Sequence, residues 1–257
     1  MEQNIDIYKF SDFTIDNYKK LINIAKKNNF TFSAFNDDFT KIEKPLLWRH
    51  DVEFSPFIAL KMAKIENKLG VKTTYFFQLH SEFYNALEKE ISVIINKIRL
   101  LGHDIGIHFD SHFFNIYNEN DLEKYLSLDT KYFNAIFKTN IKVFSFHNTN
   151  KFILSCEKQK YAGLLNVYSK YFKSTFSYCA DSTGFWRYER LEDVLNDTNI
   201  NKLQVLTHDA MWNKKTLPPR QRVFKSVEEN MFRLKKFYDN ALIKFGAKNI
   251  DWDKVYE

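Results

Sequence analysis

Short apolar runs alternate with longer amphipathic segments along most of this 257-residue chain. Residues 45–53 read Pro-Leu-Leu-Trp-Arg-His-Asp-Val-Glu, a buried strand that ends in polar residues. Ser55 and Pro56 follow as a helix N-cap and first turn, and Gly70 supplies a stop. The same order predicts strands at 72–79, 103–108, 141–147, 178–181 and 203–208, and helices at 14–28, 56–70, 82–101, 122–137 and 223–245.

Strands separated by helices favour an α/β fold with a parallel sheet and helical crossovers. The chain has only 6 Gly and 4 Pro and no low-complexity linker, so we expect one domain over residues 1–257. Polar residues fall at the carboxyl ends of five predicted strands, where α/β folds collect ligands and catalytic groups. These residues are His50-Asp51, His108, His147, Asp181 and His208.

The composition limits the classes of function. Hydrophobic residues make up 44% of the chain and aromatic residues 17%, enough for a buried core. The net charge of +6 comes from lysines spread over helices, which indicates solvated faces or an anionic substrate and no nucleic-acid partner. Two cysteines, no secretion signal and no apolar run of membrane-spanning length lead us to expect a cytoplasmic protein without a membrane span.

Two clusters carry residue types suited to a metal-dependent hydrolase. Asp51 and Glu53 lie two apart on an extended segment and therefore share a side. His108 and His112 lie four apart, a spacing that on a helical turn can grip one ion. Imidazole nitrogens suit zinc, cobalt, nickel or iron. Either pair alone also fits a strand cap or a solvated surface pair.

Three later segments could complete such a site. His208, at the end of an apolar strand, could deliver a proton. Asp181 could orient a histidine, and Trp186 could wall a pocket. His147 is either a pocket residue or an additional metal ligand. Each segment alone also has a structural explanation, as a turn or a buried core residue.

Read together, these clusters resemble the polysaccharide deacetylase family (carbohydrate esterase family 4, the NodB-homology domain), in its divergent branch with an Arg-His-Asp-Val-Asp motif. The first motif reads Arg49-His50-Asp51-Val52-Glu53, and the segment leading into the second reads Gly102-His103-Asp104-Ile105-Gly106-Ile107-His108. Asp181-Ser182 with Trp186 resembles the fourth motif, and Leu206-Thr207-His208 the fifth. The ordered set covers about residues 45–213.

The resemblance implies a distorted (β/α)7 barrel, one divalent metal ion, with zinc the first choice, and removal of an N- or O-acetyl group from a sugar. By position, Asp51 resembles the catalytic base and His208 the general acid. Glu53, His108 and His112 resemble the metal ligands. The expected substrate-binding residues are Arg49, His147, Asp181, Trp186 and Trp212.

The sequence departs from the family pattern in two places. Glu53 stands where the family has aspartate, one methylene shorter. The third motif, Phe146-His147-Asn148-Thr149, lacks the usual arginine and proline, so that Arg49 or Arg187 is left to orient the base. Two further alternatives stay open: Asp51 touches the metal itself, or His147 replaces His112.

The leading hypothesis is a cytoplasmic deacetylase or deformylase that acts on an acylated, nucleotide- or lipid-linked sugar during surface polysaccharide biosynthesis. One alternative is an amidohydrolase of small cyclic amides or ureides on the same fold. The other is a catalytically inactive carbohydrate-binding protein, for which the altered third motif and Glu53 are the support. The sequence leaves the sugar, the acyl group and the oligomeric state open.

Overall fold

The computed structural model describes residues 9–254. Its strands are β1 (Thr31–Phe32), β2 (Pro45–Val52), β3 (Thr74–Phe77), β4 (Asp104–Phe109), β5 (Val143–Phe146), β6 (Lys160–Tyr161), β7 (Leu164–Asn166), β8 (Ser177–Ala180) and β9 (Leu203–His208). Its α-helices are α1 (Ile15–Lys27), α2 (Pro56–Lys68), α3 (Lys89–Leu100), α4 (Glu119–Phe137), α5 (Lys151–Ser155), α6 (Lys170–Thr175), α7 (Leu191–Asn196) and α8 (Pro219–Lys244).

One sheet contains all of these strands. Seven of them run parallel in the order β7-β5-β4-β3-β2-β9-β8, with β6 antiparallel on the β7 edge and β1 paired to β2. The sheet is curled, because Tyr168, after β7, and Tyr178, in β8, both reach Arg49 of the central strand β2. The fold is a distorted, incompletely closed (β/α)7 barrel, which confirms the predicted fold class.

Alternation along β2 separates the barrel interior from its outer layer. Leu47 packs inside with Phe76 and Val143, whereas Leu46 and Trp48 pack outside under the helices. Gly106 is required in β4, because a Cβ there would lie 2.5 Å from the Phe76 ring. The lack of a side chain at Gly106 therefore lets the Phe76 ring pack directly against β4 inside the barrel.

The helices cover the outer face of the sheet. Thr14 caps α1 by accepting a hydrogen bond from the Asn17 amide, and Ser55 caps α2 with Pro56 in its first turn, as predicted. On the buried side of α2, Glu66 pairs with His50, with 2.7 Å between Oε1 and Nε2. His50 of the first motif therefore faces away from the barrel interior.

The structure differs from the predicted elements mainly in two stretches, and it also contains β1 and α7, which the sequence patterns left unassigned. Helix α3 begins at Lys89 rather than at residue 82, because residues 82–88 form a loop in which the Tyr84 hydroxyl donates to the Val52 carbonyl. Residues 151–175, left unassigned by the sequence patterns, hold α5, β6, β7 and α6, which are too short to show a period. None of the helices between residues 9 and 254 combines the length and apolar character needed to cross a bilayer.

Candidate metal centre

Three side chains converge at the open rim of the barrel. Glu53 directly follows β2, His108 is the penultimate residue of β4, and His147 directly follows β5. Glu53 Oε1 lies 3.1 Å from His108 Nε2 and 2.9 Å from His147 Nδ1, and the two imidazole nitrogens are 3.2 Å apart. One carboxylate oxygen and two imidazole nitrogens at these distances form a group that could hold a metal ion.

The electrostatics of this group favour a charged carboxylate. Burial alone raises the pKa of Glu53, but His208, His108 and His147 outweigh it and hold this pKa well below its ordinary value of 4.5. Burial lowers the pKa of His147, and the hydrogen bond and charge of Glu53 reverse that effect and raise it. The group is therefore a negatively charged acceptor surrounded by imidazoles.

The remaining ring nitrogens of the two histidines are held by neighbours. His108 Nδ1 lies 2.7 Å from Ser145 Oγ, and His147 Nε2 lies 2.8 Å from Asn148 Nδ2. Such contacts orient metal-binding histidines by fixing the ring and its tautomer. With one nitrogen of each ring so engaged, the other faces Glu53, and the donor set fits a divalent ion of the zinc type.

His208 faces the same group from the end of β9. Its Nε2 lies 3.9 Å from Glu53 Oε1, and its Nδ1 lies 2.6 Å from Asp181 Oδ1. The His208 backbone amide also donates to Asp181 Oδ2 over 3.0 Å, so Asp181 fixes both the ring and the chain. Burial lowers the pKa of His208, but Asp181 and Glu53 outweigh it and raise this pKa to about 10.

Asp51 contacts the His108 ring at Nδ1, whereas Glu53 contacts it at Nε2, and both carboxylates line one cleft. Its Oδ2 is 3.6 Å from His108 Nδ1, and its Oδ1 accepts from Ser145 Oγ over 3.3 Å. The Arg49 guanidinium forms a fully buried ion pair with Asp51 over 3.4 Å and donates to the Tyr168 hydroxyl over 3.2 Å. Burial opposes the charge of Arg49, but Asp51 raises the pKa of this guanidinium.

Asp209, the residue after His208, holds the segment that carries Glu53. Its buried carboxylate accepts hydrogen bonds from the backbone amides of Glu53 (2.9 Å), Phe54 (3.2 Å) and Ser55. Burial raises the pKa of Asp209 to about 6, against the effect of these three donors. This role of Asp209 was not predicted, although the position of an acid directly after a strand-end histidine was a usable signal.

Three of the predicted site residues lie outside this group of ligand atoms, although His112 lines a pocket together with Glu53 and His147. His112 is in a turn after β4, and its Nε2 lies 2.7 Å from the Asn148 carbonyl oxygen. Trp212 is buried in the outer core against Phe13. Trp186 stacks on Phe13 with 5.1 Å between ring centroids and also contacts Trp212, at 6.1 Å.

A cleft of about 660 Å³ opens onto Glu53, His108 and His208. Its walls carry several aromatic side chains, namely those of Phe54, Phe146, Tyr168, Tyr178 and Tyr188. Arg187 is the only lysine or arginine among the described residues that line it. The predicted substrate-binding residues Arg49 and Asp181 lie beneath this cleft, where they hold Asp51 and His208.

Comparison with known proteins finds similarity to solved structures. No protein-family model matches the chain, and no curated protein matches its sequence. A family 4 carbohydrate esterase from Bacillus anthracis is 15% identical, with 81% of this chain and 85% of that chain covered and a TM-score of 0.44. The chitin deacetylase of Colletotrichum lindemuthianum is 13% identical, with 72% and 81% covered and a TM-score of 0.44. A peptidoglycan deacetylase from Bacillus subtilis is 11% identical, with 80% and 98% covered and a TM-score of 0.42.

Proposed function

We propose that this protein is a metal-dependent deacylase that removes an N-acetyl or N-formyl group from a sugar. The observation that carries the proposal is the convergence of the ligand group with a proton donor. Glu53, His108 and His147 bring three ligand atoms together, and His208 stands 3.9 Å from Glu53 at the rim of the same cleft. These three residues would hold a metal ion, which would supply Lewis-acid polarisation of the acyl carbonyl.

The chain's own residues divide the proton transfers between them. Asp51 is the proposed base, which takes a proton from the attacking water. Arg49 positions it through their buried ion pair, in the role that the third motif leaves unfilled. His208 is the proposed acid, which donates a proton from Nε2 to the departing nitrogen. Asp181 holds the His208 ring through Nδ1, so that Nε2 faces the cleft.

His147 takes the third ligand position in this proposal, in place of His112. Its Nδ1 lies 2.9 Å from Glu53 Oε1, whereas the His112 ring contacts a backbone carbonyl. The longer side chain of Glu53 is compatible with this exchange, because its oxygen reaches both imidazoles. Asp51 stays outside the ligand group and retains the role of base.

The cleft supports a sugar carrying an anionic group as the substrate. Tyr168, Tyr178 and Tyr188 line it, and aromatic faces of this kind pack against sugar rings. Arg187 lines the same cleft, is exposed, and has no acidic partner among residues 9–254. A nucleotide- or lipid-linked sugar would place a phosphate within reach of this guanidinium. The open, tyrosine-lined cleft favours a sugar over a small cyclic amide.

The proposed setting is surface polysaccharide biosynthesis in the cytoplasm. Both cysteines, Cys156 and Cys179, are buried and unpaired, as suits a reducing compartment. The acylated sugar would then be an intermediate rather than a finished polymer.

Release of acetate or formate from acylated sugars tests the proposal directly. The protein, purified and supplied with zinc or cobalt, is incubated with N-acetyl and N-formyl sugars in free and nucleotide-linked form. We expect acid release that His208→Gln lowers about 10²–10⁴-fold. Arg187→Gln should raise KM for the nucleotide-linked sugar and leave KM for the free sugar unchanged. Sugar binding without acid release from any substrate would instead select the inactive carbohydrate-binding protein.

A further inference from the structure

Helix α8 extends beyond the body of the protein. Its first half is anchored, since Arg222 and Ser226 are buried and Arg233 pairs with Glu88 over 2.8 Å. From residue 234 to the end of the helix, no side chain is buried. Several large apolar side chains are nevertheless exposed there, including Phe237 at 59% and Ile243 at 62%.

A regular apolar stripe runs along one side of α8. Phe224, Val227, Met231, Leu234 and Tyr238 follow one another at steps of three, four, three and four residues. Each is between 45% and 52% exposed, and the Tyr238 hydroxyl is hydrogen-bonded to the Asn249 side-chain amide. This seam has the spacing of the a and d positions of a coiled coil. Side chains at these positions are buried only when they pack between the side chains of a second helix.

We propose that the seam binds the same seam of a second copy of this chain, so that two α8 helices pack antiparallel in a dimer. A two-fold axis between residues 231 and 234 would place Met231 against Leu234 of the second copy. The same axis places Val227 against Tyr238. The seam is thus complementary to itself, as a two-fold symmetric interface requires.

The charges beside the seam favour this occupant and this direction. Glu228 and Lys235 occupy the two flanking e positions, and both are exposed and without an ion-pair partner among residues 9–254. In an antiparallel pair each faces the opposite charge on the other helix. In a parallel pair their neighbours would be Val223 and Asn230, which carry no charge. A membrane-binding helix would instead carry lysine and arginine along its flanks rather than both signs.

Light scattering on the full chain after size-exclusion chromatography tests the proposal. The wild-type protein should elute at twice the chain mass of 30.8 kDa. Leu234→Glu places a charge in the middle of the seam and should give the single-chain mass. Phe232→Glu is the matched control, because Phe232 is 69% exposed on the same helix but lies outside the seam. This variant should remain a dimer, and circular dichroism should show both variants folded.

Charge exchange tests the direction of the pair. Glu228→Lys should weaken dimerisation about fivefold, by placing two lysines opposite each other at both flanks. Adding Lys235→Glu should restore wild-type affinity. A wild-type protein that stays monomeric at every attainable concentration would overturn the proposal. Equal effects of Leu234→Glu and Phe232→Glu on the mass would overturn it as well. A monomer that sediments with phosphatidylglycerol vesicles would assign the seam to a membrane surface. None of these outcomes depends on deacylase activity.

Discussion

Replacing Glu66 by glutamine should destabilise the protein strongly without touching the metal centre. The Glu66 carboxylate is fully buried and accepts from the hydroxyls of Tyr18, Tyr75 (2.6 Å) and Thr73 (2.9 Å), and it pairs with His50 over 2.7 Å. In Glu66→Gln an NH2 group replaces one carboxylate oxygen. This group is a hydrogen-bond donor, so it cannot accept from the hydroxyl donors that the oxygen served. Removing one partner of a buried pair costs about 3–5 kcal/mol of unfolding free energy.

The pKa of Glu66 gives a second value for this loss of unfolding free energy. Burial raises this pKa, but the charge and hydrogen bond of His50 outweigh burial and lower it from 4.5 to about 2. The difference corresponds to about 3 kcal/mol. Because the folded-state pKa is the lower one, this stabilisation is present above pH 4.5 and is lost as the pH falls toward 2.

Thermal unfolding followed by circular dichroism measures the effect. For a chain of this size, a loss of about 3 kcal/mol lowers Tm by about 6–12 °C at neutral pH. Glu43→Gln, on an exposed residue, is the matched control and should shift Tm by no more than about 2 °C. The difference in stability between wild type and Glu66→Gln should shrink as the pH falls from 4.5 toward 2. Equal Tm values at pH 7 would refute the reasoning, as would a difference that grows in acid.

Three substitutions probe the residues behind the metal centre. Asp181→Asn should lower kcat about 10²-fold with little change in KM, because the His208 ring loses the acceptor that orients it, as steady-state kinetics would show. Arg49→Met should cost about 3 kcal/mol of unfolding free energy in urea, because Asp51 is left buried without its cation. Asp209→Asn should weaken zinc binding about 10–100-fold in titration calorimetry, because the segment that carries Glu53 loses an acceptor for its amides.

A surface substitution of the same chemistry controls for the loss of a carboxylate. Asp193 is 68% exposed on its side chain and lies 3.8 Å from Arg190. Asp193→Asn should leave kcat, unfolding free energy and zinc affinity unchanged. If Asp209→Asn bound zinc as tightly as Asp193→Asn does, Asp209 would have no part in holding Glu53.

The fold was predictable because its signals are local. The strands that became β2, β4 and β9 are continuous apolar runs with polar ends, and each is followed by a turn or a helix start that the sequence shows. The short elements between residues 151 and 175 were not predictable, since two- to six-residue segments contain too few side chains to show a period. The strands among them, β6 and β7, are held by pairing with each other and with β5 at the edge of the sheet.

The candidate site was partly predictable for the same reason. Parallel strands bring their carboxyl ends to one rim, so Glu53, His108, His147 and His208 could be expected to meet. The choice of His112 assumed a helical turn, whereas Asp110 Oδ1 accepts from the His112 amide at 2.8 Å in a turn that directs the ring to Asn148. The sequence left open whether His147 is a metal ligand. Its position beside His108 depends on the register of β5 against β4, which the sequence does not show.

The tryptophans show a different limit. Trp212 follows the last strand closely, and sequence distance from His208 gave no information on which side of the sheet it would lie. The single-turn 3-10 helix Asp209–Met211 turns the chain outward, where Tyr18 receives the ring with 4.9 Å between centroids. Aromatic residues near a motif are therefore poor predictors of a binding wall unless the backbone direction is known.

Metal stoichiometry in two histidine variants tests the central claim most directly. We expect elemental analysis of the zinc-loaded wild-type protein to give one ion per chain. His147→Ala should lose that ion, and His112→Ala should retain it, since only His147 lies within ligand distance of Glu53 and His108. Retention by His147→Ala together with loss in His112→Ala would contradict the account, and so would a wild-type chain that binds no ion.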